Sequence, residues 1–465
     1  MAMLPMAYAD HAEIDASRSA FTQALRELRS VCFASHDAAR EALRAVGMMS
    51  PFFLPYQGRD DRALLTEFGE LARDVVAFSY PRHQVAPTPP LLPEKKLRVG
   101  IVSGLFRRHS VWRLPTRGWV EAMDRSRFSV FGYHTRDERD DQTEYAARIF
   151  DRFTTGLRPL PEWVATIAAD RPHVLIFPEL AADQASMQLA ALRLAPVQCA
   201  TWGQPVTSGL PSIDYYLSSD AMEPADGEAH YTERLIRLPG LGALYRSEYA
   251  TWGDALPVGD AWADFAFGLE AVRFLCCQSV QKYLPEHDHL YPDIAKALPE
   301  ARFVFVAGQQ RPSEILARRL TAAFGSAGLD PGLYCRFAPP LSQAAFSALV
   351  RDAQVFLDTP LWSGCNTTLD ALFHGVPVVT LPGRFMRSRH GKAILDIVGC
   401  GETIAVDLND YVSKAVRLGR DLGWRQVARA ALAAGRHRLV DDAAPVRALE
   451  AFLLSAVARA TAGRT

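Results

Sequence analysis

Apolar positions along the chain fall into three successive textures. In the first they recur every three to four residues: Phe21, Leu25 and Leu28 within Ala16 to Val31, then Leu64, Leu65, Phe68, Leu71 and Val75 within Asp60 to Phe78. That spacing places one apolar stripe along a helix and predicts two helices. Between them, Ser50-Pro51-Phe52-Phe53-Leu54-Pro55-Tyr56 is too aromatic and proline-bound to continue a helix. Pro81 and Ala86-Pro87-Thr88-Pro89-Pro90 then predict a stiff extended linker. No 34-residue internal period stands out.

From Leu97 the texture changes. Short β-branched runs, Leu97–Ser103, Phe128–His134, His173–Pro178 and Val197–Trp202, alternate with stretches long enough for crossover helices. This alternation predicts an α/β fold with a doubly wound parallel sheet. A Gly/Pro/polar stretch around Arg246 to Asp260 interrupts it. The alternation then restarts with Arg273–Gln278, Arg302–Ala307, Val355–Asp358 and Pro377–Leu381. Last comes a helix through Val446, Leu449, Leu453 and Val457, begun by Asp441, Asp442 and Pro445. The chain therefore divides into a helical segment with its linker (1–95), two Rossmann-like lobes (96–260 and 261–440) and a C-terminal helix (441–465). Two such lobes imply a ligand in the cleft at the carboxyl ends of their strands.

Composition narrows the class. Apolar residues make up 49% and charged residues 22% of 465, which excludes a chain disordered throughout, a collagen-like repeat and a coiled-coil rod. Lys+Arg 51 against Asp+Glu 52 leaves a net charge of −1, so no global field favours nucleic acid or an anionic membrane. No apolar run approaches the ~20 residues that span a bilayer. Met1 to His11 lacks a basic stretch followed by a long apolar one, so no secretory leader is expected. The seven cysteines form no C-x-x-C pair. They read as reduced thiols of a cytoplasmic protein rather than a disulfide framework or a zinc site.

Four loops at predicted strand ends carry the candidate chemistry. After Val355–Asp358 comes Thr359-Pro360-Leu361-Trp362-Ser363-Gly364-Cys365-Asn366-Thr367-Thr368-Leu369-Asp370, a Gly-containing turn running into a helix. Free N–H groups at a helix start, with Asn366, Thr367 and Thr368 beside them, form a cradle for phosphate oxygens. Asp370, expected on the first helical turn, is placed to accept bonds from ribose hydroxyls. On the residues alone, the same positions also serve as an ordinary cap and dipole complement. After Arg273–Gln278, Lys282 stands where a lysine reaches a diphosphate, or stays solvated. Gly104 to Ser110 is not a G-x-G-x-x-G fingerprint, which disfavours a dinucleotide. Its His109 is a candidate acceptor-side base or a structural hydrogen-bonding residue. Trp202 to Gly209 lines the cleft or turns the chain. No G-x-x-x-x-G-K-[ST], G-x-S-x-G or H-E-x-x-H motif is present. The acidic run Asp137-Glu138-Arg139-Asp140-Asp141 reads as a solvated loop rather than a metal site.

Over about 96 to 440 the chain resembles the catalytic region of the O-linked N-acetylglucosaminyltransferase family, with its Spindly-type and bacterial relatives. The resemblance rests on Leu97–Ser103, Phe106-x-x-His109-Ser110, Asp141-x-Thr143, Leu194–Gln198 and Gly203-x-Pro205-x-Thr207-Ser208-Gly209. It continues through Ile213-Asp214-Tyr215, His230-Tyr231-x-Glu233-Arg234-Leu235 and Lys282. It closes with Asn366-Thr367-Thr368-x-Asp370-Ala371-Leu372, Gly375–Gly383 and Ser388-Arg389. It is nearest to a bacterial branch.

The resemblance implies a GT-B fold, a UDP-sugar donor, a protein acceptor, inversion at the anomeric carbon and no cofactor or metal. The donor would lie on the second lobe and the acceptor on the first. Lys282 would contact the diphosphate as a catalytic residue, with His109 in the acceptor-side cleft. Cys365, Asn366 and Thr367 would hold the phosphates, Asp370 the ribose and Phe346 the uracil. Gln278, Gly364, Thr368, Gln204, Pro205, Thr207 and Arg389 complete the implied substrate contacts. Cys365, Gln204 and Gln281 depart from the residues that relatives usually carry there. The long repeat array that presents protein acceptors in relatives has no counterpart beyond the short helical segment. GlcNAc transfer to Ser or Thr hydroxyls is the activity implied. Glucose from UDP-glucose, fucose from GDP-fucose, and a non-catalytic nucleotide-sugar-binding scaffold stay open.

Overall fold

Each alternating block folds into its own parallel sheet. The computed structural model describes residues 4–48, 51–88, 96–250, 255–306, 308 and 310–462. The first sheet comprises β1 (Leu97–Ser103), β2 (Phe128–His134), β3 (Arg152–Thr155), β4 (Val174–Phe177), β5 (Val197–Thr201), β6 (Tyr215–Ser219) and β7 (Arg234–Leu238). Their order is β3-β2-β1-β4-β5-β6-β7. The second comprises β8 (Val272–Cys276), β9 (Ala301–Val306), β10 (Cys335–Ala338), β11 (Val355–Leu357) and β12 (Val378–Val379), in the order β10-β9-β8-β11-β12. Every pairing is parallel, with Val99 opposite Val174 across β1 and β4, and Val355 opposite Phe274 across β11 and β8. Strand order reverses between β1 and β4 in one sheet and between β8 and β11 in the other. Those switch points are where loops diverge and leave a crevice.

The expected α/β architecture with two Rossmann-like lobes is what forms. All eight expected strands appear, within a few residues; Ala307, the last residue of one of them, lies outside the described residues. Four strands were not expected: β3, β6, β7 and β10. β3, β7 and β10 are sheet edges, and their residues are mostly half-exposed. An edge strand needs no continuous apolar run, so hydropathy alone does not mark it.

Residues before the first sheet form α1 (His11–Cys32), α2 (His36–Ala45) and α3 (Arg62–Ser79). Asp10 caps α1 by accepting from the Glu13 N–H, so this helix begins earlier than its apolar stripe indicates. The expected proline linker falls partly outside the described residues, as do Ser50, Pro89 and Pro90. The helical segment is packed onto both lobes. It meets the first at α3, where Gly69 lies against Gly209, and the second where the Tyr56 ring stacks on Trp362 at 3.7 Å. Arg319 of the second lobe donates to the Tyr8 carbonyl at 2.9 Å.

The C-terminal helix spans Ala444–Ala462. It returns to the first lobe, where Val446, Leu449, Leu453 and Ala456 join a core with Val99, Ile101, Trp119 and Val130. The chain thus crosses between lobes twice, near 260 and near 440.

The α3 contact allows a direct test. Gly209 has φ +69°, and a Cβ there would meet the Leu65 carbonyl oxygen at 1.9 Å. A Cβ on Gly69 would meet the Gly209 carbonyl at 2.1 Å. Gly69→Val is expected to destabilise the protein by about 1–3 kcal/mol through overpacking, read as a lower urea midpoint.

Candidate active site

The loops leaving both switch points face one another across a cavity of about 400 Å³. From the first lobe come His109 after β1, Glu179 after β4, and Trp202, Gly203, Gln204 and Pro205 after β5. From the second come Gln278, Gln281 and Lys282 after β8, and Trp362, Ser363, Cys365, Asn366 and Thr367 after β11. Phe52, Pro55 and Tyr56 of the helical segment close one side.

The second-lobe wall is organised by Asp358, the residue just beyond β11. Its buried carboxylate accepts from the Ser363 hydroxyl at 2.5 Å, the Thr380 hydroxyl at 2.7 Å and the Gly364 N–H at 2.7 Å. Ser363 in turn accepts from the Gly391 N–H at 2.7 Å. The loop is thereby pinned to β12 and to the helix His390–Val398. Gln278 then joins the two loops. Its amide nitrogen donates to Thr367 Oγ1 at 2.9 Å, and its Oε1 accepts from Lys282 Nζ at 2.9 Å. The lysine also donates to the Ser363 carbonyl at 3.4 Å. Lys282 and the start of the helix Asn366–Phe373 are therefore separated by one side chain. Gly364 has no room for a Cβ, which would lie 2.2 Å from both the Gln278 amide nitrogen and Thr367 Oγ1.

Burial pulls the Lys282 ammonium down to about 8, against the attraction of Asp358. Asp358 is itself pushed up by burial and pulled down by its donors and by the lysine. Cys365, the residue before the helix, is pushed up to about 12 by burial, so its thiol stays protonated. Asn366 Oδ1 is buried and finds no hydrogen-bond partner among the described residues. An ammonium, a thiol and helix-start N–H groups together present donors to an anion.

Eight of the sequence candidates border the cavity: His109, Gln204, Pro205, Gln278, Lys282, Cys365, Asn366 and Thr367. The other six lie elsewhere. Thr368 is buried and its hydroxyl donates back to the Gly364 carbonyl at 2.8 Å. Thr207 is buried in a network with Thr232 and Glu233. Arg389 ties the lobes by donating to the Met222 carbonyl at 3.1 Å. Phe346, on the helix Gln343–Arg351, packs against the main core. Gly364 stands behind Gln278. Asp370 is the fifth residue of its helix, one turn beyond the expected position, and its Oδ1 accepts from Arg113 at 2.5 Å.

Arg113 is a residue that the sequence reading passed over. It reaches from a π-helical turn of the first lobe (Trp112–Thr116) and donates to both Asp370 and the Tyr245 hydroxyl, the latter at 2.8 Å. Burial opposes its charge, but the Asp370 carboxylate holds the guanidinium above its ordinary value. Tyr56 was passed over too. Its hydroxyl bonds to Gln281, so the glutamine that departs from the family pattern has a partner in the helical segment. The aromatic cluster of 52–56 was the visible signal. Its position over the cleft was not, because no local pattern encodes that contact.

The His109 ring is mostly buried, and its Nδ1 accepts from the Val111 N–H at 3.2 Å. That bond places the ring proton on Nε2. Burial, with Arg107 and Arg136 nearby, holds the imidazole down to about 4, so it is neutral at neutral pH. Among the described residues, no cluster of three or more His, Cys, Asp or Glu side chains is arranged to hold a metal ion. No described helix is long and apolar enough to cross a membrane.

The sequence model of glycosyl transferase family 41 matches residues 31–241 and 345–440. Among curated proteins, the chain is 28% identical over 273 residues to a probable UDP-N-acetylglucosamine–peptide N-acetylglucosaminyltransferase SPINDLY of Oryza sativa subsp. japonica, covering 57% of this chain and 28% of that protein. It is 28% identical over 341 residues to the corresponding SEC protein of Arabidopsis thaliana, covering 70% and 33%. The chain thus spans about a third of the length of these relatives. Among solved structures, it superposes on a lysine-to-methionine mutant of the Thermobaculum terrenum O-GlcNAc transferase with a TM-score of 0.76 and 25% identity, covering 98% of this chain and 86% of that one. The two facing sheets are the GT-B arrangement of that enzyme.

The Arg113–Asp370 pair generates a prediction. Arg113→Met leaves a buried carboxylate unpaired and is expected to cost about 3–5 kcal/mol, seen as a lower melting temperature. Adding Asp370→Leu removes that carboxylate and should restore most of the loss.

Proposed function

We propose, since the chain belongs to glycosyl transferase family 41, that it transfers a sugar from a nucleotide diphosphate to protein hydroxyls, with GlcNAc from UDP-GlcNAc onto Ser or Thr as the reaction. The observation that carries this reading is the Lys282–Gln278–Thr367 connection at the cleft floor. It sets a cationic amine beside a helix start where a diphosphate would sit.

In this reading the diphosphate occupies the second-lobe wall and the acceptor enters over the first lobe. The acceptor oxygen approaches the anomeric carbon from the face opposite the phosphate, which inverts that centre. As the bond to the leaving phosphate lengthens, negative charge grows on its oxygens. Lys282 and the N–H groups near Asn366 to Thr368 oppose that charge without a metal ion. Gln278 holds the lysine in place before the substrate arrives, so little reorganisation accompanies the step. Removing one donor of this kind commonly costs about 2.7–4 kcal/mol, or about 100- to 1,000-fold in rate. Phe52 and Tyr56 of the helical segment supply apolar surface at the rim of the same cavity.

The test is to incubate purified enzyme and a cell lysate with UDP-GlcNAc, UDP-glucose and GDP-fucose separately, and to read modified proteins by mass spectrometry. A mass increment of one N-acetylhexosamine on Ser or Thr with UDP-GlcNAc is the expected outcome. An increment from another donor only corrects the sugar, and none with any donor overturns the reading. Lys282→Ala should lower the transfer rate by about 100- to 1,000-fold.

The lysine also sets a pH dependence. Its ammonium is protonated below about 8 and neutral above it. UDP affinity of the free enzyme should therefore fall as pH rises through about 8. In calorimetric titrations, Lys282→Met should lose that fall.

A further inference from the structure

We infer that Glu179 is the proton acceptor of the transfer reaction, taking the proton of the attacking hydroxyl on the first-lobe side of the cleft. The inference rests on the transfer reading given above and names a residue which that reading leaves unassigned.

Glu179 leaves the carboxyl end of β4 after Pro178, at the switch point of the first sheet. It borders the same cavity as Lys282 and Thr367, from the opposite lobe. An inverting displacement needs its base and its leaving-group stabiliser on opposite sides of the reacting carbon, and the two switch points supply that separation. The carboxylate is 1% exposed, yet among the described residues no ion pair holds it. Its Oε1 accepts from the Gly104 N–H at 2.7 Å, and the Ser103 hydroxyl is shared between Oε1 at 2.8 Å and Oε2 at 2.9 Å. Four lone-pair sites meet two donors, so acceptor capacity is left on Oε2. The nearby Arg136 is engaged with Asp183 at 3.0 Å.

The titratable and charged groups facing Glu179 are Asp183 and Arg136 of its own lobe, the neutral His109 in the loop after β1, and Lys282 across the cleft. Burial, and next the Asp183 carboxylate, push Glu179 up to about 8, while Ser103, Gly104 and Arg136 oppose them. A base accepts a proton efficiently when its pKa lies near the working pH. The neutral His109 ring, with its proton on Nε2, is suited to donate a hydrogen bond rather than to take a proton.

In the step, the acceptor hydroxyl oxygen bonds to the anomeric carbon. The bond from that carbon to the phosphate oxygen breaks, and its electron pair stays with the nucleotide diphosphate. The hydroxyl proton passes to Glu179 and from there to water.

The experiment measures kcat from pH 6 to 10 with saturating UDP-GlcNAc and a peptide carrying the site mapped by mass spectrometry. Saturating donor raises the lysine's pKa and removes its limb from the profile. Wild-type kcat is expected to rise through about 8 and then level. Glu179→Gln, which keeps the shape of the side chain, should lower kcat about 100- to 10,000-fold and abolish the rise, with UDP affinity within twofold of wild type. Ser103→Ala withdraws a hydrogen bond from the carboxylate, so the rise should move to higher pH. Retention of the rise by Glu179→Gln, with a rate within threefold of wild type, overturns the inference. If Glu179→Gln fails to bind UDP, the unfolded variant is set aside and the Ser103→Ala profile decides: an unshifted rise overturns it. A wild type inactive with every donor instead overturns the transfer reading itself.

Discussion

The site depends on one buried carboxylate. Asp358 sits at the end of a fully buried strand, where an uncompensated negative charge is strongly unfavourable. Two hydroxyls and a backbone N–H satisfy it, and each comes from a segment that has to be in place for the site to exist. The same charge lies close enough to Lys282 to favour its protonated form. A buried lysine at the cavity wall is therefore kept near a carboxylate that does not bond to it directly. Gln278 occupies the space between them and fixes the amine toward the helix start.

A second constraint holds the halves together. GT-B lobes enclose their cleft only if something sets the distance between them. Here Arg113 reaches from the first lobe to Asp370 on the helix Asn366–Phe373 of the second, and Arg389 reaches back to the Met222 carbonyl. The helical segment and the C-terminal helix add contacts at opposite ends of the chain. Asp370 is thus part of the contact between the lobes as well as a neighbour of the loop at Gly364 to Thr367. A ligand that bonds to this carboxylate has to compete with a guanidinium 2.5 Å away.

What was legible in the sequence follows from how local each signal is. The central strands β1, β2, β4 and β5 were visible because burial on both faces makes their sequences largely apolar, whereas the interior strand β6 (Tyr215–Ser219) ends in two serines and was not. The edges β3, β7 and β10 were not, because half-exposed strands make no such demand. Lys282, Gln278 and Asn366 to Thr367 were legible from position: they follow strands at switch points, and the fold brings such loops together. The Thr368 hydroxyl turns inward to the Gly364 carbonyl, since a hydroxyl on the first turn of a helix bonds equally well to the preceding backbone. Arg113 and Glu179 left no local trace, and the aromatic run around Tyr56 did not show where it packs. Their roles arise from contacts across more than a hundred residues of chain, or from burial of a single charge, and neither has a period or a motif.

The central claim is that Lys282 and the helix start at Asn366 jointly hold the diphosphate of a nucleotide sugar. A crystal structure with UDP bound tests it most directly. The account predicts the terminal phosphate within hydrogen-bonding distance, about 2.7–3.2 Å, of Lys282 Nζ and of the N–H groups at Asn366 to Thr368. A diphosphate seated elsewhere, with the Lys282–Gln278–Thr367 chain undisturbed and no phosphate against it, would contradict it.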